Sequence, residues 1–233
     1  MMRVDNQQAH HDWIQAKLRE MHAGRSILDV GAGECAYKPA CSHLSYTSQD
    51  LSIYDGAGDT KGLQTGAWDF SNIDIRCDIL DIPENVKYDI ILCTEVLEHV
   101  PDPVRVLEKI DRVLAPGGDI ILTAPFCSLT HFAPYHYSTG FSQYFYRYHL
   151  GRLNYEIVEL APNGGFFDYL YQELGRVPSV KHKHLGGKLS FWSRRRRRGA
   201  LRFIETLVEE DMKAGRPSSE LLTMGWHVHA RKQ

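Results

Sequence analysis

The stretch ILDVGAGECA, residues 27–36, decides the fold. With Ser26 it makes a short apolar strand, SILDV, that runs directly into Gly31-Ala32-Gly33, and an aspartate, Asp29, stands two residues before the first glycine. Glycine has no Cβ, so a ligand can lie against the main chain where such a strand ends. LSYTSQD reads as a second strand closing at Asp50, which gives strand, turn, short helix, strand, the opening of a parallel α/β sheet.

Outward from this segment the same alternation continues. Residues 6–22 place Trp13, Ile14, Leu18 and Met21 on one helical face, with Asp5 as N-cap and Gly24 as the stop. Residues 51–72 carry Gly56, Gly58, Gly62 and Gly66 without a helical period and read as loop. IDIRCDI is a third strand ending near Asp78, and YDIILCTE a fourth ending at Cys93-Thr94-Glu95. Pro101-Asp102-Pro103 starts a helix whose buried stripe is Val104, Leu107, Ile110 and Leu114, and Pro116-Gly117-Gly118 ends it. DIILTAPF is a fifth strand, Ser142 to Leu150 a short helix stopped by Gly151, and NYEIVEL a sixth strand. Residues 201–212 read as a helix and GWHVHAR as a closing edge strand. The expected fold is α/β: a Rossmann-like, doubly wound, mainly parallel seven-stranded sheet with helices on both faces and an antiparallel edge strand.

Composition bounds the organisation. A chain of 233 residues, 43% of them hydrophobic, suits one domain over 1–233. It reads as an N-terminal helix (1–24), a ligand-binding core (26–127), substrate-side aromatic and basic insertions (128–200) and a closing helix and strand (201–233). No leader segment or apolar membrane span is visible, and the five cysteines lack C-x-x-C spacing, so a cytoplasmic protein without disulfide or zinc is expected. The net charge of −2 conceals Lys181, Lys183, Lys188 and Arg194 through Arg198, eight cations among residues 181–198 with no acid, which leave −10 elsewhere. The five adjacent arginines read as a solvated loop before the helix at 201. Their functional alternative is contact with a phosphate on the acceptor or with an anionic membrane surface, beside Phe191 and Trp192.

Two ligand classes compete for the glycine turn. G-A-G-E-C-A satisfies a dinucleotide fingerprint, and Asp50 lies 19 residues beyond Gly31. Asp29 argues the other way, because a carboxylate there attracts a cationic ammonium or sulfonium and repels a pyrophosphate. Taken in order, ILDVGAGECA, SQD, CDILDIP, YDIILCTEVLEHVPDP and LAPGGDIILTAPF resemble the successive motifs of class I S-adenosylmethionine-dependent methyltransferases across residues 26–127. The resemblance implies that the Gly31-Ala32-Gly33 backbone faces the methionine part of S-adenosylmethionine, where Asp29 is expected to bind the cofactor's cationic group. It gives the ribose hydroxyls to Asp50 with Leu51 alongside, the adenine amino group to Asp78, and a ring nitrogen to the Ile79 N–H. Thr94, Glu95 and His99 line the cofactor wall. Glu95 and His99 stand at i, i+4, but TEVLEHV lacks the second histidine of a metalloprotease helix, so no metal is expected.

Methyl transfer to a hydroxyl needs alignment and a proton acceptor. Residues 130–149, directly after strand five, hold eight of the chain's 25 aromatics and three histidines. His136, between Tyr135 and Tyr137, is the first candidate base and His131 the second. Aromatic walls suit a sugar or another ring, so the expected acceptor is a small molecule or glycan methylated on oxygen. The rivals are a nucleic-acid methyltransferase using residues 181–198, an NAD-dependent dehydrogenase and a non-catalytic cofactor-binding adaptor. The acidic balance elsewhere, and CTEV where a nucleobase-amine enzyme carries an Asn/Asp-Pro-Pro-Tyr-type motif, argue against the first.

Overall fold

The computed structural model describes residues 6–233, so Asp5, read as a helix cap, lies outside the described residues. The chain divides into two compact units, residues 10–161 with 225–233, and residues 6–9 with 162–224.

The larger unit is built on a seven-stranded sheet of β1 (Ser26–Val30), β2 (Ser45–Asp50), β3 (Ile75–Arg76), β4 (Tyr88–Thr94), β5 (Leu114–Pro125), β6 (Tyr155–Pro162) and β7 (Gly225–Lys232). The spatial order is β3-β2-β1-β4-β5-β7-β6. β1 pairs in parallel with β2 on one side and β4 on the other, and β7 runs antiparallel to β5. The order therefore reverses between β1 and β4, and a parallel sheet opens a crevice beyond the carboxyl ends of its strands at such a switch point.

Parallel strands are covered on both faces, and the sequence of β4 reflects it. Leu28, Val30, Ile91, Cys93, Ile120 and Leu122 point to one side, where α2 (Pro103–Val113) brings Val106, Leu107 and Ile110 and α3 (Gln143–Arg152) brings Tyr146 and Leu150. Ile27, Ile90, Leu92 and Ile121 point to the other, against Ile14 and Leu18 of α1 (Asn6–Glu20) and Met21 just after it. The expected caps of α2 form: the Asp102 carboxylate accepts the Arg105 N–H at 3.0 Å, and Pro103 opens the helix. β3 is shorter than IDIRCDI suggested. Asp78 turns the chain into a single helical turn over Ile79–Asp81, accepting the Leu80 N–H at 2.8 Å.

The smaller unit holds α4 (Phe166–Leu185) and α5 (Phe191–Lys213). Here the reading of Arg194–Arg198 as a loop is corrected, because the run lies inside α5. Arginine is a good helix former, and the Ser190 hydroxyl caps the helix by accepting the Ser193 N–H at 3.1 Å. Arg194, Arg195, Arg196 and Arg198 remain exposed, while Arg197 donates to the Leu174 carbonyl at 3.2 Å. Among the described residues no helix is long and apolar enough to cross a membrane.

One buried ion network ties the strands together away from the crevice. The Asp119 carboxylate, at 1% exposure, accepts from Arg25 at 2.7 Å, His229 at 2.9 Å and Arg231 at 3.0 Å, joining the approach to β1 with β5 and β7. Burial pushes this carboxyl up, but the bonds from His229 and Arg25 and the charges of Arg25 and Arg231 outweigh it and hold it well below the ordinary carboxylate range. A carboxyl depressed in the folded state contributes its full stabilisation above its unfolded value, about 4, and loses it as pH falls through the folded value. Asp119→Ala is expected to cost about 3–5 kcal/mol in urea unfolding at neutral pH. Stability of the wild type should also fall more steeply below about pH 4 than that of Asp119→Asn; equal slopes would remove the carboxylate from the acid response.

Candidate functional site

Beyond the switch point lies a cavity of about 340 Å³ whose walls include Gly31, Asp50, Leu51, Asp78, Ile79, Glu95 and His99. Its floor is the turn after β1. Gly31 and Gly33 take φ of +69° and +54°, values that side chains other than glycine adopt reluctantly. A Cβ on Gly31 would strike Val96, and one on Gly33 would come within 2.8 Å of the Trp68 ring. Two side chains at the end of β2 hold the turn: Gln49 accepts the Gly31 N–H at 3.3 Å, and Asp50 accepts the Gly33 N–H at 3.0 Å. Gln49, which is fully buried, also donates to the Cys77 carbonyl at 2.7 Å and so couples the turn to the chain leaving β3.

Asp50 accepts a second N–H, from Ser52, at 2.6 Å on its other oxygen. Each carboxylate oxygen can take two bonds, so both retain capacity for a pair of adjacent hydroxyls. Asp78 faces the same cavity, and the Ile79 backbone follows it into the single turn. Glu95 sits at φ +54°, a conformation that side chains rarely adopt, with its N–H donated to the Thr123 carbonyl at 2.9 Å. Ala32 and Thr94 stand next to lining residues in the chain, and neither they nor Gly33 line the cavity themselves.

Asp29 is placed differently from the sequence reading. It is 2% exposed, does not line the cavity, and accepts the Tyr46 hydroxyl at 2.6 Å. Burial pushes its pKa up to about 7, against the Tyr46 hydrogen bond, and the Asp50 charge adds to the rise. This hydrogen bond joins β1 to β2. Glu95 and His99 are likewise not on one helix: a single turn over Leu97–His99 follows Val96, and α2 begins only at Pro103.

Three histidines gather at one side of the cavity. His99 and His131 meet edge to face at 4.7 Å between ring centres, and His131 lies 4.7 Å from His136. The His99 Nδ1–H donates to the Tyr135 carbonyl at 2.5 Å, and the His131 Nδ1–H to the Leu129 carbonyl at 2.8 Å. Burial lowers the His99 pKa to about 4, so the ring is neutral near pH 7 and its Nε2 carries a lone pair. Ser128 commits its hydroxyl proton to the Thr139 carbonyl at 2.9 Å and therefore accepts from His136 Nε2 at 3.2 Å. That leaves Nδ1 of a neutral His136 as the proton-accepting atom. Of the three rings only His99 lines the cavity.

Sequence reasoning missed Gln49, Glu98 and an aromatic wall of Tyr54, Trp68 and Phe132, whose ring centres lie 4.8 to 5.7 Å apart. The loop holding Tyr54 and Trp68 is fastened to the segment after β5, with Leu63 N–H donating to Thr130 at 2.8 Å and Phe132 N–H to Leu63 at 2.9 Å. Glu98 is completely buried, and neither carboxylate oxygen has a hydrogen-bond partner. Burial, then the charge of Glu95, pushes its pKa well above the usual range.

This arrangement of glycine turn, strand-end acids and switch-point cavity is that of a class I S-adenosylmethionine-dependent methyltransferase. A family model described as a methyltransferase domain matches residues 5–160, and the chain belongs to that family, with S-adenosylmethionine as its cofactor. The ubiquinone biosynthesis O-methyltransferase of Paraburkholderia phytofirmans is 30% identical over 110 residues, which cover 46% of this chain and 46% of that protein. The chain thus matches about half the length of that curated relative. Among solved structures, the N-methyltransferase NodS of Bradyrhizobium japonicum superposes with a TM-score of 0.52 at 13% identity, over 97% of this chain and 96% of that one. Phosphoethanolamine N-methyltransferase 2 of Haemonchus contortus, solved with S-adenosyl-L-methionine, gives 0.51 at 17% identity over 97% and 52%. At these identities the structures speak for the fold.

Asp50→Ala is expected to weaken S-adenosylmethionine binding by about 1–3 kcal/mol, the usual effect of removing hydrogen bonds to a charged group. Calorimetric titration of the two proteins checks it, and unchanged affinity would reduce Asp50 to a turn residue.

Proposed function

We propose that the chain transfers a methyl group to a hydroxyl of a small-molecule acceptor bearing a ring, a phenol or a sugar. The observation that carries the reading is the cavity itself, which has Asp50 and Asp78 among its lining and, toward the three histidines, His99 with Phe132, Tyr135 and Tyr137. S-adenosylmethionine supplies an electrophilic methyl on a sulfonium. Asp50 accepts the ribose hydroxyls, Asp78 and the Ile79 N–H take the adenine, and the Gly31–Gly33 backbone with Glu95 borders the methionine part. The aromatic rings cover the apolar faces of the acceptor and exclude water. His136 takes the hydroxyl proton at Nδ1, with Ser128 fixing its tautomer, and His131 is the alternate acceptor. Oxygen is favoured as the target by the name of the curated relative and by a histidine cluster suited to removing a hydroxyl proton.

The protein works in the cytoplasm on this reading, in keeping with its five free thiols. The exposed cations of the smaller unit, Arg194, Arg195, Arg196 and Arg198 among them, suit phosphate groups such as those of an anionic membrane surface. The exposed Phe191 and Trp192, at 65% and 67%, accompany them.

With labelled S-adenosylmethionine and a panel of phenolic and sugar acceptors, label should appear as an O-methyl group. His136→Ala should lower turnover by roughly 10²–10⁴-fold, and His131→Ala should also lower it, with cofactor affinity preserved. Transfer to nitrogen or to nucleic acid, or full activity in both variants, would contradict the assignment.

A further inference from the structure

We propose that Glu98, His99 and His131 form a binding site for one divalent transition-metal cation of the zinc type. The three side chains converge from separate segments. Glu98 and His99 come from the single turn after β4, and His131 from the loop after β5, 32 residues further on. Glu98 Oε1 lies 3.6 Å from His99 Nε2 and 3.9 Å from His131 Nε2, and the three donor atoms all fall within 4.8 Å of one another. Ligands held at roughly 2.1 Å from one ion stand about 3.0–3.5 Å apart, so a small contraction completes the set.

Three independent features point to a cation there. Both rings already use Nδ1–H on a backbone carbonyl, Tyr135 for His99 and Leu129 for His131, which is the outer bond that orients a metal-binding imidazole and leaves Nε2 to the ion. Glu98 is fully buried with both oxygens unpartnered, and His99 Nε2 is buried and unpartnered beside it. A buried carboxyl group whose oxygens have no hydrogen-bond partner lies beside a buried nitrogen in the same condition, and a shared cation satisfies both at once. The Glu98 carbonyl, finally, accepts the N–H groups of Tyr137 at 2.9 Å and Ser138 at 3.2 Å, so the backbone that presents the carboxylate is fixed.

Two imidazoles and one carboxylate suit zinc, cobalt or ferrous iron rather than magnesium or calcium, which prefer oxygen throughout. Three protein ligands leave a position open, as in zinc sites that bind a substrate or water. Because His99 lines the cavity, the occupant of that position is the acceptor oxygen, and with the cation on His131 Nε2 the proton falls to His136; these points rest on the proposed function, and the cation site itself does not. The motif TEVLEHV gave no sign of it because the second histidine stands outside the motif.

The test uses the full chain, stripped with a chelator and titrated with cobalt(II) alone, without cofactor or acceptor. The wild type should bind one equivalent with visible d–d bands and gain thermal stability. Glu98→Gln and His131→Ala should each weaken that binding by at least about 10–100-fold and lose the stabilisation. His22→Ala, at an exposed histidine, should bind as the wild type does. Circular dichroism establishes that each variant is folded. Absence of saturable binding, or equal binding by wild type and both ligand variants, would overturn the proposal. Methyl transfer is not needed for the readout, so failure here and failure of the enzymatic reading are separate results.

Discussion

Two backbone N–H groups hold the functional end of this sheet in shape. Gly31 donates to the Gln49 side chain and Gly33 to the Asp50 carboxylate, at 3.3 and 3.0 Å, so the turn leaving β1 is clamped by the last two residues of β2. Both glycines are in the left-handed region, and the space a Cβ would need is taken by Val96 and Trp68. The cavity, the position of Asp50 within it and the path of the chain into its next element all follow from this clamp. Asp29 joins β1 to β2 through Tyr46, without lining the cavity.

The part of the site that was legible in the sequence is the part made by neighbours in sequence. Gly31, Gly33, Asp50 and Asp78 could be read because each stands where a strand ends, and strands announce themselves through apolar runs and turn residues. The fold followed for the same reason, since strands alternating with helices leave few topologies open. Gln49 could not be read, because its role depends on crossing from β2 to both Gly31 and Cys77. Tyr54 and Trp68 belong to a loop without period, and only its pairing with residues 130–133 brings them to Phe132. The arginine run lies in helix because arginine's backbone preference favours the conformation in which α5 carries it, and a run of charge is not by itself a loop signal.

The histidine side of the cavity combines chemical readiness with cost. His99, whose Nε2 is buried without a partner, and unpartnered Glu98 are arrangements that folding alone does not favour. They are held by backbone carbonyls and amides from the segment after β5, which also supplies Phe132, Tyr135 and Tyr137 to the wall. On the proposed function, cofactor recognition falls to the strand ends and acceptor chemistry to one irregular segment.

The most direct measurement is calorimetric titration of the full chain with S-adenosylhomocysteine and, separately, with NAD. The clamp at Gly31 and Gly33, with Asp50 free to take a ribose diol and no lysine or arginine in the cavity lining, predicts saturable one-to-one binding of S-adenosylhomocysteine and none of NAD. Binding of NAD in preference to S-adenosylhomocysteine would contradict that reading of the glycine turn.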